Sequence, residues 1–161
     1  MRAIFLDIDG VLNNQESAGR RWSVRLPQAF DHSKTSAVPP FHSACVARLN
    51  ALIARTDAKV VISSTWGRLF RLNDLTRYLA DQGVVAQILG ATPVKLAYRP
   101  RGEDIQHWLD DWPGEPVEAF CILDDHDDMG NLLGRLVQTD PTVGLQDDDV
   151  RKAFRLLTLS A

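Results

Sequence analysis

The first ten residues constrain the fold more than any other stretch of the chain. A short apolar run, residues 3–6, leads directly into Asp7, Asp9 and Gly10. Such a run, closed by a glycine, is typical of a buried strand in a parallel sheet. Because side chains alternate along a strand, carboxylates two residues apart lie on the same side, and Gly10 lets the chain turn away. Ligands of α/β proteins bind at the carboxyl ends of such strands, so this stretch predicts an α/β fold with an acidic ligand site at the edge of its sheet.

A second acidic pair follows a second apolar run. The sequence Ala-Phe-Cys-Ile-Leu leads into Asp124 and Asp125. Two carboxylate pairs at two strand ends favour a hard-cation site, because Mg²⁺ is typically held by one or two carboxylates with waters and phosphate oxygens. His126 stands beside them, but Mg²⁺ prefers oxygen, so we leave this imidazole out of the predicted ligands. Asp127 and Asp128 are assigned to the start of the next helix, where acidic side chains suit the helix dipole.

The rest of the chain alternates between apolar runs and helical periodicity. This alternation predicts a Rossmann-like α/β architecture, a parallel sheet with helices on both faces. Strands are predicted over residues 3–7, 59–63, 84–89 and 119–123, with an edge strand over 135–138. Helices are predicted over residues 43–56, 69–82, 103–112, 127–133 and 147–157. Ser43 is the expected N-cap of the first helix. Residues 13–41 show no sustained period and predict a long insertion after the first strand.

Composition limits the domain count and the class of protein. With 161 residues, of which 45% are hydrophobic, the chain can bury the core of a single domain, 1–161. A net charge of -3 argues against a protein that coats nucleic acid by bulk electrostatics, but it leaves a nucleic-acid end as a permissible substrate. Cys45 and Cys121 show neither disulfide nor zinc spacing. With neither a leader pattern nor an apolar run of membrane-spanning length, we expect a soluble, cytoplasmic protein with reduced thiols and no membrane partner.

Four motifs in order resemble the haloacid dehalogenase (HAD) superfamily. Residues 7–12, Asp-Ile-Asp-Gly-Val-Leu, resemble motif I, and residues 60–65 resemble motif II, a strand that ends in Ser or Thr. Residues 101–103, Arg-Gly-Glu, lie where motif III places a basic residue before a helix, and residues 122–125 resemble motif IV. The resemblance covers nearly the whole chain. It implies a Rossmann-like domain in which residues 13–41 form a flap or a minimal cap.

A finer resemblance is to the HAD domains of Swiss-army-knife RNA repair proteins. It is found in residues 63–66, 101–108 and 139–145. Together, the two resemblances imply Mg²⁺-dependent hydrolysis of phosphomonoesters, on nucleic-acid terminal phosphates or nucleotides.

The motif I aspartates receive separate roles from the resemblance. Asp7 matches the nucleophile that forms an aspartyl-phosphate, and Asp9 matches the general acid that later activates water. Phosphatases of the superfamily have an aspartate at this second position and dehalogenases lack it, so Asp9 favours phosphate chemistry. Gly10 belongs to the predicted substrate-binding residues.

The hydroxyl and the cation of the site each have alternatives. Ser64 is preferred as the hydroxyl that contacts a phosphate oxygen, and Ser63 and Thr65 compete for this role, Thr65 also being a predicted substrate contact. Arg101 replaces the usual lysine of motif III. Its guanidinium can bind phosphate through two donors, and Lys95 is the alternative cation.

The predicted metal ligands come from both acidic pairs. Asp124 is the direct ligand of Mg²⁺, together with a carboxylate oxygen of Asp7 and the backbone carbonyl of Asp9. Asp125 is expected to act through water or to hold the motif III cation.

Part of the insertion is a candidate substrate surface. It combines cations with aromatic rings, which suit the phosphates and bases of RNA or DNA ends. Its members are Arg20, Arg21, Trp22, Arg25, His32 and, outside the insertion, Trp66. Arg21 and Trp22 are the preferred contacts. The alternative is a loop whose tryptophan packs on the core while its arginines stay solvated.

Two other functions are compatible with clustered aspartates. A receiver-like signalling module also binds Mg²⁺ on a doubly wound sheet, but it has its acceptor aspartate on a middle strand and an acidic pair after the first strand. A catalytically silent binding domain would hold the metal without hydrolysis. Turnover of a phosphomonoester separates the enzyme from both.

Overall fold

Five parallel strands form the sheet of the computed structural model, which describes residues 1–14, 40–93 and 99–159 except the side chain of Arg68. The strands are β1 (Arg2–Leu6), β2 (Lys59–Ile62), β3 (Ile88–Ala91), β4 (Ala119–Asp124) and β5 (Leu136–Gln138). Their order across the sheet is β3-β2-β1-β4-β5, so that β1 lies at the centre. The predicted parallel α/β sheet is confirmed. Most of the predicted insertion, residues 15–39, lies outside the described residues.

Helices cover both faces of this sheet, as predicted. They are α1 (Ser43–Thr56), α2 (Trp66–Leu69), α3 (Leu72–Asp81), α4 (Arg101–Asp111), a 3₁₀ helix (Gly130–Arg135) and α5 (Asp147–Thr158). Ile4 and Leu6 of β1 pack in a core with α1, α3 and α5. Phe5 of β1 faces the other way and packs edge-on against Trp108 of α4, with ring centroids 5.4 Å apart. The alternation of β1 thus builds a core on each face, and each buried side chain of this size contributes about 1.5–3 kcal/mol.

Three predicted helical features differ from the observed ones. His42, and not Ser43, is the N-cap of α1. The helix predicted over 69–82 is observed as α3, and Leu69 instead ends α2, because Phe70 has extended backbone angles. The helix predicted over 127–133 begins at Gly130 as a 3₁₀ helix, so Asp127 and Asp128 precede it and do not occupy its first turn.

The third strand lies four residues later than its apolar run predicts. It begins at Ile88, whose register partner is Val60 of β2. Val85, the second residue of the predicted strand, is 72% exposed. The backbone pairing available along β2, and not the apolar run itself, therefore sets the start of β3.

A C-terminal segment, residues 139–145, holds the loop that follows β1. The Thr139 hydroxyl donates to the Gly10 carbonyl at 2.7 Å. The Leu145 N–H donates to the Val11 carbonyl at 3.0 Å, and the Asn14 side chain donates to the carbonyl of Val143 at 2.8 Å. These bonds connect distant parts of the chain and fix the backbone that leaves the first acidic pair.

Two predictions from composition concern the cysteines and the membrane. Cys45 and Cys121 are both buried and free, as expected. Among the residues that the structure describes, every helix is too short or too polar to cross a membrane.

Candidate active site

The carboxyl ends of the three central strands meet at one cleft. Leu6 is in register with Ile62 of β2 and with Leu123 of β4, so the residues that follow these strands lie at the same level. The cleft has a volume of about 340 Å³. Its lining residues are Asp7, Asp9, Thr65, Arg101, Asp125, His126 and Pro141. Residues from both acidic pairs, from motif II and from motif III therefore converge in one place.

Asp7 is nearly buried at the base of the cleft and is 4% exposed. The Ile8 N–H donates to its Oδ1 at 2.7 Å, and the nearby Ser64 side chain acts to lower the pKa of this carboxyl group. Nη2 of Arg101 lies 3.4 Å from its Oδ2. Burial raises the pKa of Asp7 to about 7, although the guanidinium opposes that rise. The side chain is thus oriented by donors on either oxygen.

Arg101 connects the carboxylates of two neighbouring strands. Its Nε lies 3.0 Å from Oδ2 of Asp124, and its Nη1 donates to the Ser63 carbonyl. Arg101 is the first residue of α4, and its own N–H donates to a carboxylate oxygen of Asp128 at 3.0 Å. Asp128 therefore caps the helix that carries the predicted cation, which corrects its assignment to the following helix. Lys95, the alternative cation, lies outside the described residues.

A glycine allows α4 to approach the loop after β4. A Cβ on Gly102 would lie 2.0 Å from the carbonyl oxygen of Met129, a distance that no side chain tolerates. The absence of a side chain at Gly102 lets the first turn of α4 lie against this loop. The guanidinium of Arg101 is thereby brought within reach of Asp124.

Four side chains could hold a metal ion. One ligand atom each from Asp7, Asp124, Asp125 and His126 lies within 4.8 Å of the others. Asp124 is fully buried, and its Oδ1 accepts a hydrogen bond from the N–H of His126 at 2.9 Å. Its Oδ2 has the ion pair with Arg101 but accepts no hydrogen bond of suitable geometry from the residues that the structure describes. A buried carboxylate oxygen without a hydrogen bond, beside two further carboxylates, fits a hard cation.

The electrostatics of this cluster also suit a cation. Burial raises the pKa of Asp124 to about 6, with Arg101 acting in the opposite direction. Partial burial acts to lower the pKa of His126, but Asp125 and Asp124 outweigh it and raise that pKa. A divalent cation would favour the charged carboxylates. The ring of His126, which is not among the predicted ligands, lies with these carboxylates, and its Nδ1 lies 3.0 Å from Oδ1 of Asp125.

The Asp9 side chain lies apart from this metal-binding group. Asn13 Nδ2 donates to its Oδ1 at 2.8 Å, and Trp66 Nε1 donates to its Oδ2 at 2.8 Å. Both aspartates of motif I line the cleft, but their carboxylates have different partners. Trp66 is only 1% exposed. This burial corrects its assignment to the substrate surface, because its ring packs inside the core.

The structure distinguishes the three hydroxyls of motif II by their surroundings. The Ser64 hydroxyl accepts from the N–H of Trp66 at 3.4 Å, and this side chain acts to lower the pKa of Asp7. Ser63 is fully buried, and within the described part of the chain its hydroxyl has no hydrogen-bond partner. Thr65 lines the cleft. The remaining predicted substrate contacts (Arg20, Arg21, Trp22, Arg25 and His32) lie outside the described residues.

Gly10 has a steric role beside the metal-binding group. Its φ of 76° lies in the left-handed region, and a Cβ would lie 2.6 Å from Cγ of Asp125. We expect Gly10→Ala to lower the free energy of unfolding by more than the roughly 1–2 kcal/mol of the backbone conformation alone, because Asp125 must also move. Denaturant titration measures the loss of unfolding free energy. The dependence of activity on Mg²⁺ concentration measures the effect of displacing Asp125.

Gly130→Ala is the matched control for this prediction. Gly130 has a φ of 54°, but a Cβ there would meet nothing within 4 Å. Both variants therefore have the strained backbone and only Gly10→Ala displaces a carboxylate. Equal losses of stability and activity in the two variants would contradict the proposed contact with Asp125.

The observed contacts of three residues of the site were not predicted from the sequence. Asn13 and Trp66 contact Asp9, and Asp128 caps α4. A capping aspartate directly before its helix could have been recognised, but Asp128 follows α4 by a long stretch of chain. These contacts depend on how the strands are brought together.

Comparison with known proteins gives one family and one fold. The family model described as the HAD domain in Swiss Army Knife RNA repair proteins matches residues 3–150. The structure is similar to that of the HAD domain of effector protein Lem4 from Legionella pneumophila, solved as an inactive mutant. The TM-score is 0.61 at 15% identity, and the match covers 98% of this chain and 94% of that chain. At this identity the likeness shows the fold alone. No curated protein shows significant similarity to the chain.

Proposed function

Because the chain belongs to the HAD domains of Swiss Army Knife RNA repair proteins, we propose that it hydrolyses phosphomonoesters through an aspartyl-phosphate intermediate. The superfamily supports a hydrolase of the phosphatase type. The observation that most supports the finer proposal is the placement of two aspartates of one strand end in different environments. Asp7 lies among groups that orient a nucleophile, and Asp9 lies in the same cleft with its own hydrogen-bond donors.

The proposed reaction has two steps with the same pair of aspartates. A carboxylate oxygen of Asp7 attacks phosphorus, and the bond from phosphorus to the leaving oxygen breaks as Asp9 donates a proton to that oxygen. Asp9, now deprotonated, takes a proton from water. The water oxygen attacks phosphorus, the bond to Asp7 breaks, and inorganic phosphate leaves with the nucleophile restored.

Ser64 and Arg101 support these steps. The Ser64 side chain, which acts on the pKa of Asp7, would contact a phosphate oxygen through its hydroxyl once that carboxylate is engaged. The positive charge of Arg101 faces the carboxylates of Asp7 and Asp124, and it offsets their repulsion of an anionic substrate.

Asp7 and Asp124 would hold Mg²⁺ directly, with the backbone carbonyl of Asp9 as a third ligand and Asp125 acting through water. When bound, Mg²⁺ neutralises phosphate charge that the acidic cluster would otherwise repel. The buried Oδ2 of Asp124, which among the described residues has an ion pair but no hydrogen bond, supports this assignment.

We further propose that the substrate is a terminal phosphate of RNA or DNA. The description of the family as domains of RNA repair proteins supports this class of substrate. The predicted small insertion would leave the cleft accessible to a polymer end. The net charge of -3 requires that any phosphate contact be local, and Arg20, Arg21 and Trp22 are the candidates for it.

Phosphorylated oligonucleotides are therefore expected to be better substrates than small sugar phosphates. The triple variant R20A/R21A/W22A should reduce kcat/KM for an oligonucleotide and leave that for a mononucleotide within about twofold, since removed phosphate contacts weaken binding without altering the chemistry. Rising salt should increase KM more steeply for the oligonucleotide. Steady-state kinetics at several salt concentrations would measure both. Equal salt dependence, or a triple variant that slows every substrate alike, would favour a general small-molecule phosphatase.

The other two functions give different results in the same assays. Receivers have the strand order 2-1-3-4-5, whereas this sheet has β1 at its centre in the order 3-2-1-4-5. Stable phosphorylation of the chain without release of phosphate would nevertheless favour a receiver-like module. Metal binding without turnover would favour a catalytically silent domain.

A further inference from the structure

Both carboxylate oxygens of Asp9 accept hydrogen bonds from buried side chains. Asn13 donates to Oδ1 and Trp66 donates to Oδ2, each at 2.8 Å. Both donors are 1% exposed, whereas Asp9 itself lines the cleft. A carboxylate has about four acceptor directions, so one on each oxygen remains for the cleft. The two buried donors thereby fix the plane and the rotation of the Asp9 carboxyl group.

Trp66 is held by an aromatic cluster. Its ring centroid lies 5.4 Å from that of Phe70, 5.9 Å from that of Tyr78 and 6.1 Å from that of Phe41. Trp66 also follows Ser64 by two residues, so the short segment after β2 that contains the motif II hydroxyls also supplies a donor to Asp9.

The amide of Asn13 uses its nitrogen to donate to Asp9, and this orientation leaves its oxygen facing the protein interior. Its Oδ1 is buried and has no hydrogen-bond partner among residues 1–14, 40–93 and 99–159. Reversing the amide would place this oxygen against the carboxylate of Asp9, where two acceptors repel. A buried acceptor without a partner is destabilising, so stability alone does not account for an amide at this position. The hydrogen bond that Asn13 donates to Asp9 accounts for the amide at this position.

We propose that Trp66 and Asn13 are positioning residues that orient the Asp9 carboxyl for proton transfer to basic leaving groups. This inference rests on the proposed function, in which Asp9 is the general acid. A nitrophenolate can depart without a proton, whereas an alkoxide, such as the hydroxyl oxygen of a sugar, needs one. The arrangement therefore suits alkyl phosphates, the class to which nucleic-acid ends belong.

The test compares leaving groups in conservative variants. Trp66→Phe keeps an aromatic ring in the core and removes the N–H. Asn13→Leu keeps the side-chain volume and removes the amide. We expect either variant to lower kcat/KM for an alkyl phosphate by about tenfold to a hundredfold, part of the 10²–10⁴-fold range of general acid catalysis. For p-nitrophenyl phosphate the change should stay within about twofold, because that leaving group does not depend on the proton.

Trp108→Phe is the matched control, since it makes the same change at a buried tryptophan of the other core cluster. It should leave the ratio of the two kcat/KM values unchanged. Circular dichroism checks folding, and if Trp66→Phe does not fold, Asn13→Leu provides the same comparison. Equal losses on both substrates would overturn the inference while leaving the proposed function in place. A wild-type chain that turns over neither substrate with Mg²⁺ would overturn the proposed function and the inference with it.

Discussion

Replacing Asp7 with Asn is expected to lower phosphomonoester turnover by at least about a thousandfold while the fold is retained, because the nucleophile is lost. An amide has nearly the same shape as a carboxylate but cannot attack phosphorus. Because burial raises the pKa of Asp7 to about 7, we expect the site to tolerate an uncharged group of the same shape. Steady-state hydrolysis of p-nitrophenyl phosphate measures the loss, and thermal unfolding followed by circular dichroism verifies the fold.

The exposed Asp57→Asn variant is a suitable control for this experiment. Asp57 has a φ of 52°, a conformation that Asn adopts readily, and its side chain is 92% exposed. It should retain wild-type turnover. Mass spectrometry of the wild-type chain quenched during turnover should locate a phosphoryl group on Asp7. Turnover of Asp7→Asn close to the wild-type value would remove this residue from the nucleophile role.

Replacing Asp124 with Ala is expected to raise the Mg²⁺ concentration for half-maximal activity by about a hundredfold or more, since even outer partners of metal ligands are worth about 10- to 100-fold. Asp124 is fully buried and contributes the oxygen that lacks a hydrogen bond. Titration of activity with Mg²⁺ measures the shift. Asp124→Asn, which keeps the side-chain volume beside Arg101, should show the same direction and separates loss of a ligand from loss of packing.

His126→Ala is the informative comparison within the same group of side chains. Although its ring lies with the three carboxylates, Nδ1 already faces Asp125, and Mg²⁺ prefers oxygen to imidazole nitrogen. We expect its Mg²⁺ requirement to change by less than about threefold, because a hard cation gains little from this ligand. A larger shift for His126→Ala than for Asp124→Ala would overturn the ligand assignment.

The sheet and the location of the site could be predicted from short segments of sequence. The apolar run before Asp7 predicts a buried strand, because a strand that is covered on both faces needs apolar side chains on both. The run before Asp124 predicts another such strand. Parallel strands place their carboxyl ends at one edge, so the meeting of both acidic pairs follows from local pattern plus one rule of topology. The family was predicted from the same motifs, and the family model confirms it.

Element boundaries were predicted less well wherever a tertiary contact decides them. The apolar run at Val84 and Val85 predicts a strand, but pairing along β2 begins at Ile88. The periodic pattern from 69 to 82 continues through Phe70, where the backbone is extended and α2 ends. Periodicity records which face is apolar and does not record where the hydrogen bonds of a helix or a ladder stop.

What the sequence by itself determined is the central strand, the acidic cluster at its carboxyl end and the type of ligand that carboxylates accept. Only the tertiary structure decided which partner each carboxylate has. Trp66 is 57 residues from Asp9, and Asp128 is 27 residues from the helix start that it caps. Such hydrogen bonds depend on angstrom-scale distances and on the direction of an N–H, which no local spacing encodes. They exist because the packing of α2, α4 and the loop after β4 against the sheet places those donors and acceptors together.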